Sequence, residues 1–297
     1  MFVSFRISRT VLAVCTAVAV LICTGVAFAV NASAVDASAA PTDVPAGSIK
    51  LPVLMYHSML KEQKRLGKYV ISPDEFEGDL HYLKENGYQT VNVQDLIQYV
   101  KIGTPLPAKP IMLTFDDGYY NNYTYAYPLA KKYGAKIIIA PVGSYTDQFS
   151  KKDSGHPSYS YLTWDQITEM MSSGLVEFQN HSYNLHTTKG RLGAQKCWGE
   201  DFQAYKDILQ NDVGKMQTEL ELNTGFRPTA FVYPFGAVSD CSDSILREMG
   251  FQATFTCLEK MNYITRDPDC LFSLGCFLRP SGISSEAYFR KIGLVSN

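Results

Sequence analysis

The chain has 297 residues, 46% of them hydrophobic, enough to fill a sizeable core and to exclude a mostly disordered protein. Its 27 Lys+Arg nearly balance 29 Asp+Glu, so the net charge of −2 advertises no basic face for nucleic acid. Nineteen Tyr against two Trp is compatible with a sugar-binding cleft but does not specify one.

The N-terminus reads as a targeting segment. Arg6 and Arg9 precede an uncharged, apolar run over residues 11–30, and two A-x-A sites follow at Ala27-Phe28-Ala29 and Ala32-Ser33-Ala34. That is the pattern of a secretory signal, although the run also reaches the ~20 residues needed to span a bilayer. Residues 1–34 are therefore expected to be a signal peptide or an uncleaved membrane anchor, and 35–48 a flexible linker. The N-terminal arginines imply that the rest of the chain lies outside the cytoplasm, secreted or held at the outer face of the membrane. Residues 49–297 then form a single domain, close to the ~250 residues of a closed α/β barrel. Five cysteines fall in that domain; the number is odd, no C-x-x-C occurs, and only Cys270 and Cys276 suggest a short disulfide loop.

Within the domain, strands and helices alternate. Strand patterns cover 51–56, 88–91, 111–115, 136–141, 175–180, 229–233, 252–255 and 274–279. Between them, Ser72-Pro73-Asp74-Glu75 is a capping box with Pro at the first helical position, and Thr163-Trp164-Asp165-Gln166 repeats the box. A long helical pattern runs from Asp201 to Leu222 and stops near Gly225. This alternation predicts an α/β fold with a parallel sheet, open or closed.

Chemistry-bearing residues gather where strands end. The strand at 111–115 runs into Asp116-Asp117-Gly118. Neighbouring residues on a regular strand point to opposite faces, so both carboxylates can serve one site only if the chain kinks there, which Gly118 permits. Two close carboxylates repel unless a cation or a shared proton compensates. A second strand ends in His181-Ser182-Tyr183-Asn184-Leu185-His186. On a helix, positions five apart diverge by about 140°, so the two imidazoles can converge on a metal only from an irregular loop. Two His and one carboxylate leave coordination positions open for water and substrate; Zn²⁺ suits them best, and Co²⁺, Ni²⁺, Fe²⁺ or Mn²⁺ could take the same ligands.

Together these residues resemble the polysaccharide deacetylases with a NodB-homology domain (carbohydrate esterase family 4). Thr114-Phe115-Asp116-Asp117-Gly118 matches that family's first motif, His181-Ser182 opens the second, and Phe231-Val232-Tyr233-Pro234-Phe235-Gly236 resembles the third. His186 comes one position later than in many members, a spacing similar to that of the poly-N-acetylglucosamine deacetylase branch, whose opening strand resembles Leu51-Pro52-Val53-Leu54-Met55-Tyr56-His57. The resemblance implies a distorted (β/α) barrel, a divalent metal on Asp117, His181 and His186, and Asp116 as general base. It further implies an oxyanion donor at the backbone of Phe235, with Tyr233 beside it in the cleft, and acetate released from an N-acetylglucosamine polymer, poly-N-acetylglucosamine or peptidoglycan. The enzyme is expected to act as a monomer.

Two family features are missing. An Arg often stands beside the third-motif Pro, where this chain has Val232-Tyr233-Pro234; Arg279 is the substitute considered. The late His that supplies the general acid is also absent, since no His follows His186; His57, at the end of the first strand, is the candidate. These departures keep open a non-catalytic carbohydrate-binding protein of the same fold, and an O-acetyl esterase stays open because ester and amide acyl transfer would use the same residues.

Overall fold

The computed structural model describes residues 44–152 and 155–294. The expected signal or anchor and residues 35–43 of the expected linker lie outside these residues. No helix among the described residues is long and apolar enough to cross a membrane.

Parallel strands form the centre: β1 (Val53–Tyr56), β2 (Pro110–Asp117), β3 (Ile137–Pro141), β4 (Val176–Phe178), β5 (Ala230–Val232), β6 (Ala253–Thr256), β7 (Leu274–Gly275) and β8 (Phe277–Leu278). One sheet has the order β8-β1-β2-β3-β4 and another β7-β6-β5. They meet at two seams. Asn180, just past β4, bridges to Phe231 of β5, and β7 passes into β8 across Cys276, changing partner from β6 to β1. The strands thus follow the circuit expected of a distorted barrel, and the distortion lies at these seams. The expected strand at 88–91 is reduced to Gln89–Thr90, which pairs only with the beginning of β2.

Side-chain alternation sorts the core into two layers. Met55, Met112, Ile138, Val232, Phe255 and Cys276, from strands all around the circuit, share one buried cluster. Their alternates Leu54, Leu113, Phe115, Ile139 and Phe178 pack outward with helix residues such as Phe76, Leu80 and Ile167. Asp116 is two residues beyond Thr114 and four beyond Met112, so β2 delivers it to the inner face.

The helices start where their caps say. α1 (Pro73–Glu85) and α2 (Trp164–Ser172) carry the two expected capping boxes complete, with Ser72 and Thr163 accepting from the backbone three residues on. α3 (Phe202–Thr224) is capped by Asp201 and ends at Gly225 with φ 72°. An additional box, Asn92 with Asp95, opens the helix Val93–Ile102. The five described cysteines are all free, so the Cys270–Cys276 loop is not closed by a disulfide.

Candidate active site

At the C-terminal ends of β2, β4 and β5 the chain leaves regular geometry. Asp117 has φ 71°, Ser182 φ 70° and Phe235 φ 59°, three of the four non-glycine residues in the left-handed region among the described residues. Each such residue costs on the order of 1–3 kcal/mol, so their clustering marks a place where strain is tolerated for a purpose. The kink at Asp117 turns its side chain back to the side Asp116 already faces. Gly118 continues the turn at φ 71°, and a Cβ there would lie 2.6 Å from the Pro141 side chain.

The loop carrying both histidines is fixed from three sides. Ser182 N–H donates to Asn180 Oδ1 (2.8 Å), Leu185 N–H donates to Ser182 Oγ (3.1 Å), and the Asp212 carboxylate on α3 accepts from Tyr183 and Asn184 N–H (2.8 and 2.9 Å). This irregular turn returns His186 to the side of His181. The Nε2 atoms of His186 and His181 lie 3.1 and 3.6 Å from Asp117 Oδ1, and ligand atoms of all three residues fall within 4.8 Å of one another.

The donor set explains what that point is for. His181 Nδ1 lies 2.8 Å from Val232 O and, as N–H, donates to it, so the neutral ring carries its lone pair on Nε2, toward Asp117. Asp117 Oδ1 is buried and has no hydrogen-bond donor. Lone pairs therefore converge with nothing between them, an arrangement that calls for a cation. Two ligands on bonds of about 2.0–2.2 Å in tetrahedral geometry would stand about 3.4 Å apart, between the two distances observed. The residues fit a divalent metal.

The electrostatics agree. Burial pushes the Asp117 carboxyl up, but the His181 and His186 imidazoles outweigh it and hold the group far below the usual carboxylate range. Burial pushes Asp116 upward, and there it prevails over the attraction of His181 and His57. Burial lowers His181, but Asp117 and Asp116 reverse the sign and raise it. Adjacent carboxyls thus have their proton affinities driven apart, the condition for a ligand and a base side by side.

All these groups line one cavity of about 620 Å³, with His57, Tyr119 and Phe235. His57 Nδ1 is buried without a partner, while its carbonyl accepts from Asn122 Nδ2 at 2.9 Å. Phe235 is 43% exposed and its ring lies against His186, with centroids 4.4 Å apart. Lys68, Tyr69, Cys257 and Glu259 also line the wall, with Met55 and Leu278. None of the first four was legible as a site residue, because each follows a segment with no motif.

Two expected residues lie elsewhere. Tyr233 does not line the cleft: its ring is buried and its hydroxyl is 2.7 Å from both Ser242 Oγ and Asp243 Oδ1. The inward strand position passes to Val232, so Tyr233 points outward. Arg279 cannot orient Asp116, because its guanidinium is committed to Asp79 (Nε–Oδ2 2.9 Å, Nη2–Oδ1 3.1 Å) and to the carbonyls of Pro280 and Ile283. Trp164 packs as a core residue, its indole N–H donating to Asp147 Oδ1 at 2.9 Å.

Residues 103–254 match the sequence model described as polysaccharide deacetylase, half of the chain. The chain belongs to the polysaccharide deacetylase family. It is 30% identical over 194 residues to the poly-beta-1,6-N-acetyl-D-glucosamine N-deacetylase of Escherichia coli K12, covering 59% of this chain and 29% of that protein. It therefore spans under a third of that relative's length. The Staphylococcus epidermidis protein of the same name is 26% identical over 224 residues, 74% of this chain and 72% of the relative. Among solved structures, a de-N-acetylase from Aggregatibacter actinomycetemcomitans superposes with TM-score 0.68 at 27% identity, over 82% of this chain and all of that one. IcaB from Ammonifex degensii gives TM-score 0.65 at 27% identity, over 82% and 95%.

Proposed function

We propose that this protein is a metal-dependent N-deacetylase that removes acetyl groups from N-acetylglucosamine residues of an extracytoplasmic polysaccharide. The observation that carries it is the pairing of a metal-shaped trio, Asp117, His181 and His186, with a neighbouring buried carboxyl, Asp116, whose Oδ1 has no donor. A pure binding site has no use for that second carboxylate. The names of the relatives support a β-1,6-linked polymer as substrate, and the arginine-led apolar run supports a reaction outside the cytoplasm.

A divalent cation bound to the trio supplies Lewis acidity toward a water and toward the acetamide oxygen. Asp116, buried and with raised proton affinity, takes the proton of the attacking water. The backbone of Phe235, turned to φ 59° at the cavity wall, is the donor for the developing oxyanion. His57, with a buried and unpartnered Nδ1, delivers a proton to the departing amine. The products are acetate and a free amine on the sugar.

The test is acetate release by the full chain from N-acetylglucosamine oligomers and from peptidoglycan, after chelation and resupply of single metals. Metal-dependent release from the oligomers supports the proposal. Silence on both, with metal still bound, would move the reading to a binding protein; release only from O-acetylated glycans would move it to an esterase.

A further inference from the structure

Trp164 and Trp198 are the two tryptophans of the chain, and they are placed oppositely. Trp164 is buried, whereas Trp198 is 101% exposed, its whole ring in water. Trp198 sits on the stretch that follows His186, and that stretch is firmly built. Arg191 and Glu200 form a largely buried ion pair, Glu200 also accepts from Cys197 N–H (2.9 Å), and Lys196 N–H donates to Ser239 Oγ (2.8 Å). The buried Tyr205 hydroxyl donates to Ala194 O at 2.8 Å. Gly193 presses on the cleft rim so closely that a Cβ there would stand 2.5 Å from Pro234 O and 3.3 Å from the Phe235 ring. The arm thus begins at one proposed metal ligand and leans on the aromatic ring that covers it.

A fully exposed indole on a braced arm offers an aromatic face that is free to meet a ligand. Other exposed apolar side chains belong to the arm and to the cleft: Leu192 on the arm, Phe235 at the rim and Tyr69 in the wall. We propose that Trp198 is an outer subsite of the glycan groove, stacking on the pyranose ring of an N-acetylated residue in the same polymer chain whose reacting residue lies over Asp116. This rests on the deacetylase reading. The neighbours of Trp198 decide between a sugar and a lipid surface. On either side of it in sequence Gln195 and Gly199 are exposed and Lys196 partly so, a polar setting that suits a ring with an apolar C–H face and a hydroxyl edge. The consequence is length dependence: short oligomers do not need Trp198, and long ones do.

The two-tryptophan composition supplies a readout independent of catalysis. In the full chain carrying Trp164→Phe, Trp198 is the sole indole fluorophore; should that variant not fold, the difference between wild type and Trp198→Phe isolates the same signal. Titration with N-acetylglucosamine oligomers of increasing length is expected to shift Trp198 emission to the blue, saturably, with long oligomers and not with the monosaccharide. Trp198→Ala is expected to raise KM for long oligomers about tenfold, with kcat and short-oligomer KM unchanged, since tenfold corresponds to one modest stacking contact. Emission that stays still while the same oligomers are deacetylated would overturn the subsite and leave the enzyme reading intact. Emission that moves only with lipid vesicles would overturn it in favour of a membrane contact. A shift with oligomers but no acetate release would uphold the subsite and sink the deacetylase reading.

Discussion

Asp79 and Asp117 are both buried carboxylates, one beneath the barrel's outer layer and the other at its mouth. Asp79 receives two bonds from Arg279 and one from the Tyr56 hydroxyl (3.1 Å), and Arg279 spends its other donors on carbonyls. Among the described residues no Lys or Arg forms an ion pair with Asp117. Two imidazoles approach Oδ1, and each offers either a proton or a lone pair. The first cluster is complete within the chain; the second is completed only by protonation or by a metal. Burial of charge is common to both, so burial alone does not mark a functional site. Unpaired acceptors converging on one point do.

The comparison breaks most visibly at Asp116. Asp116→Asn keeps the shape and the three ligands but removes the base, so acetate release is expected to fall by about 10³-fold, within the range for general-base loss. Metal content and melting temperature should stay at wild-type values. A variant that kept full turnover would show that Asp116 is not the base.

The complete cluster answers differently. Arg279→Met leaves buried Asp79 with the Tyr56 hydroxyl but without its guanidinium partner and is expected to cost about 3–5 kcal/mol, roughly 10 °C in Tm for a domain this size, while the folded fraction retains its kcat. Burial raises the Asp79 pKa, and Arg279 only partly offsets this. A carboxyl with a raised folded-state pKa contributes stability below its unfolded value and loses it as pH rises through the folded one. Asp79 in turn raises the Arg279 pKa, so the two partners' shifts oppose each other, and the pair's worth against apolar packing turns on the cost of burying two charges. Replacing Asp79, Arg279 and Tyr56 together by Leu, Met and Phe should accordingly lose much less stability than the single change, or none. If the triple variant were worse than Arg279→Met alone, the pair would be a net stabiliser.

For the incomplete cluster, the partner can be added from outside. Zn²⁺ at a hundred times its Kd should stabilise the chelated protein by about 2.7 kcal/mol, seen as a rise in Tm. The rise should persist in Asp116→Asn and vanish in Asp117→Ala. Equal stabilisation of Asp117→Ala would place the ion elsewhere.

Much of this was legible in the sequence, for local reasons. Asp-Asp-Gly after an apolar strand demanded a kink, and Asp117 and Gly118 supply it with φ 71° each. The five-residue spacing of His181 and His186 demanded an irregular loop, and Ser182 turns it. What the sequence hid was long-range. Arg279 finds Asp79 on α1, 200 positions away, and no local pattern announces that pairing. Trp198 stands in a stretch without periodicity, so only its exposure reveals it.

Tyr233 is where motif resemblance and local geometry part, and it gives the smallest expected effect. Its backbone leads into the Phe235 turn, but its hydroxyl belongs to Asp243, which also accepts from Thr254 Oγ1 (3.0 Å) and Ser273 Oγ (2.9 Å). Burial, and then the Asp243 charge, push the phenol far above its ordinary pKa, so it stays a neutral donor throughout the accessible range. Tyr233→Phe removes one bond to a carboxylate that keeps two others, a loss of about 1–2 kcal/mol in stability. Turnover should not change, because the cleft sees the backbone after Pro234 and not this ring. Intact stability with a depressed kcat would reverse the assignment and return the Tyr233 side chain to the cleft. Arg279 and Tyr233 find their partners inside the fold, whereas Asp116 Oδ1 has none and faces the cleft; that difference is the ground on which Asp116 is proposed as the base.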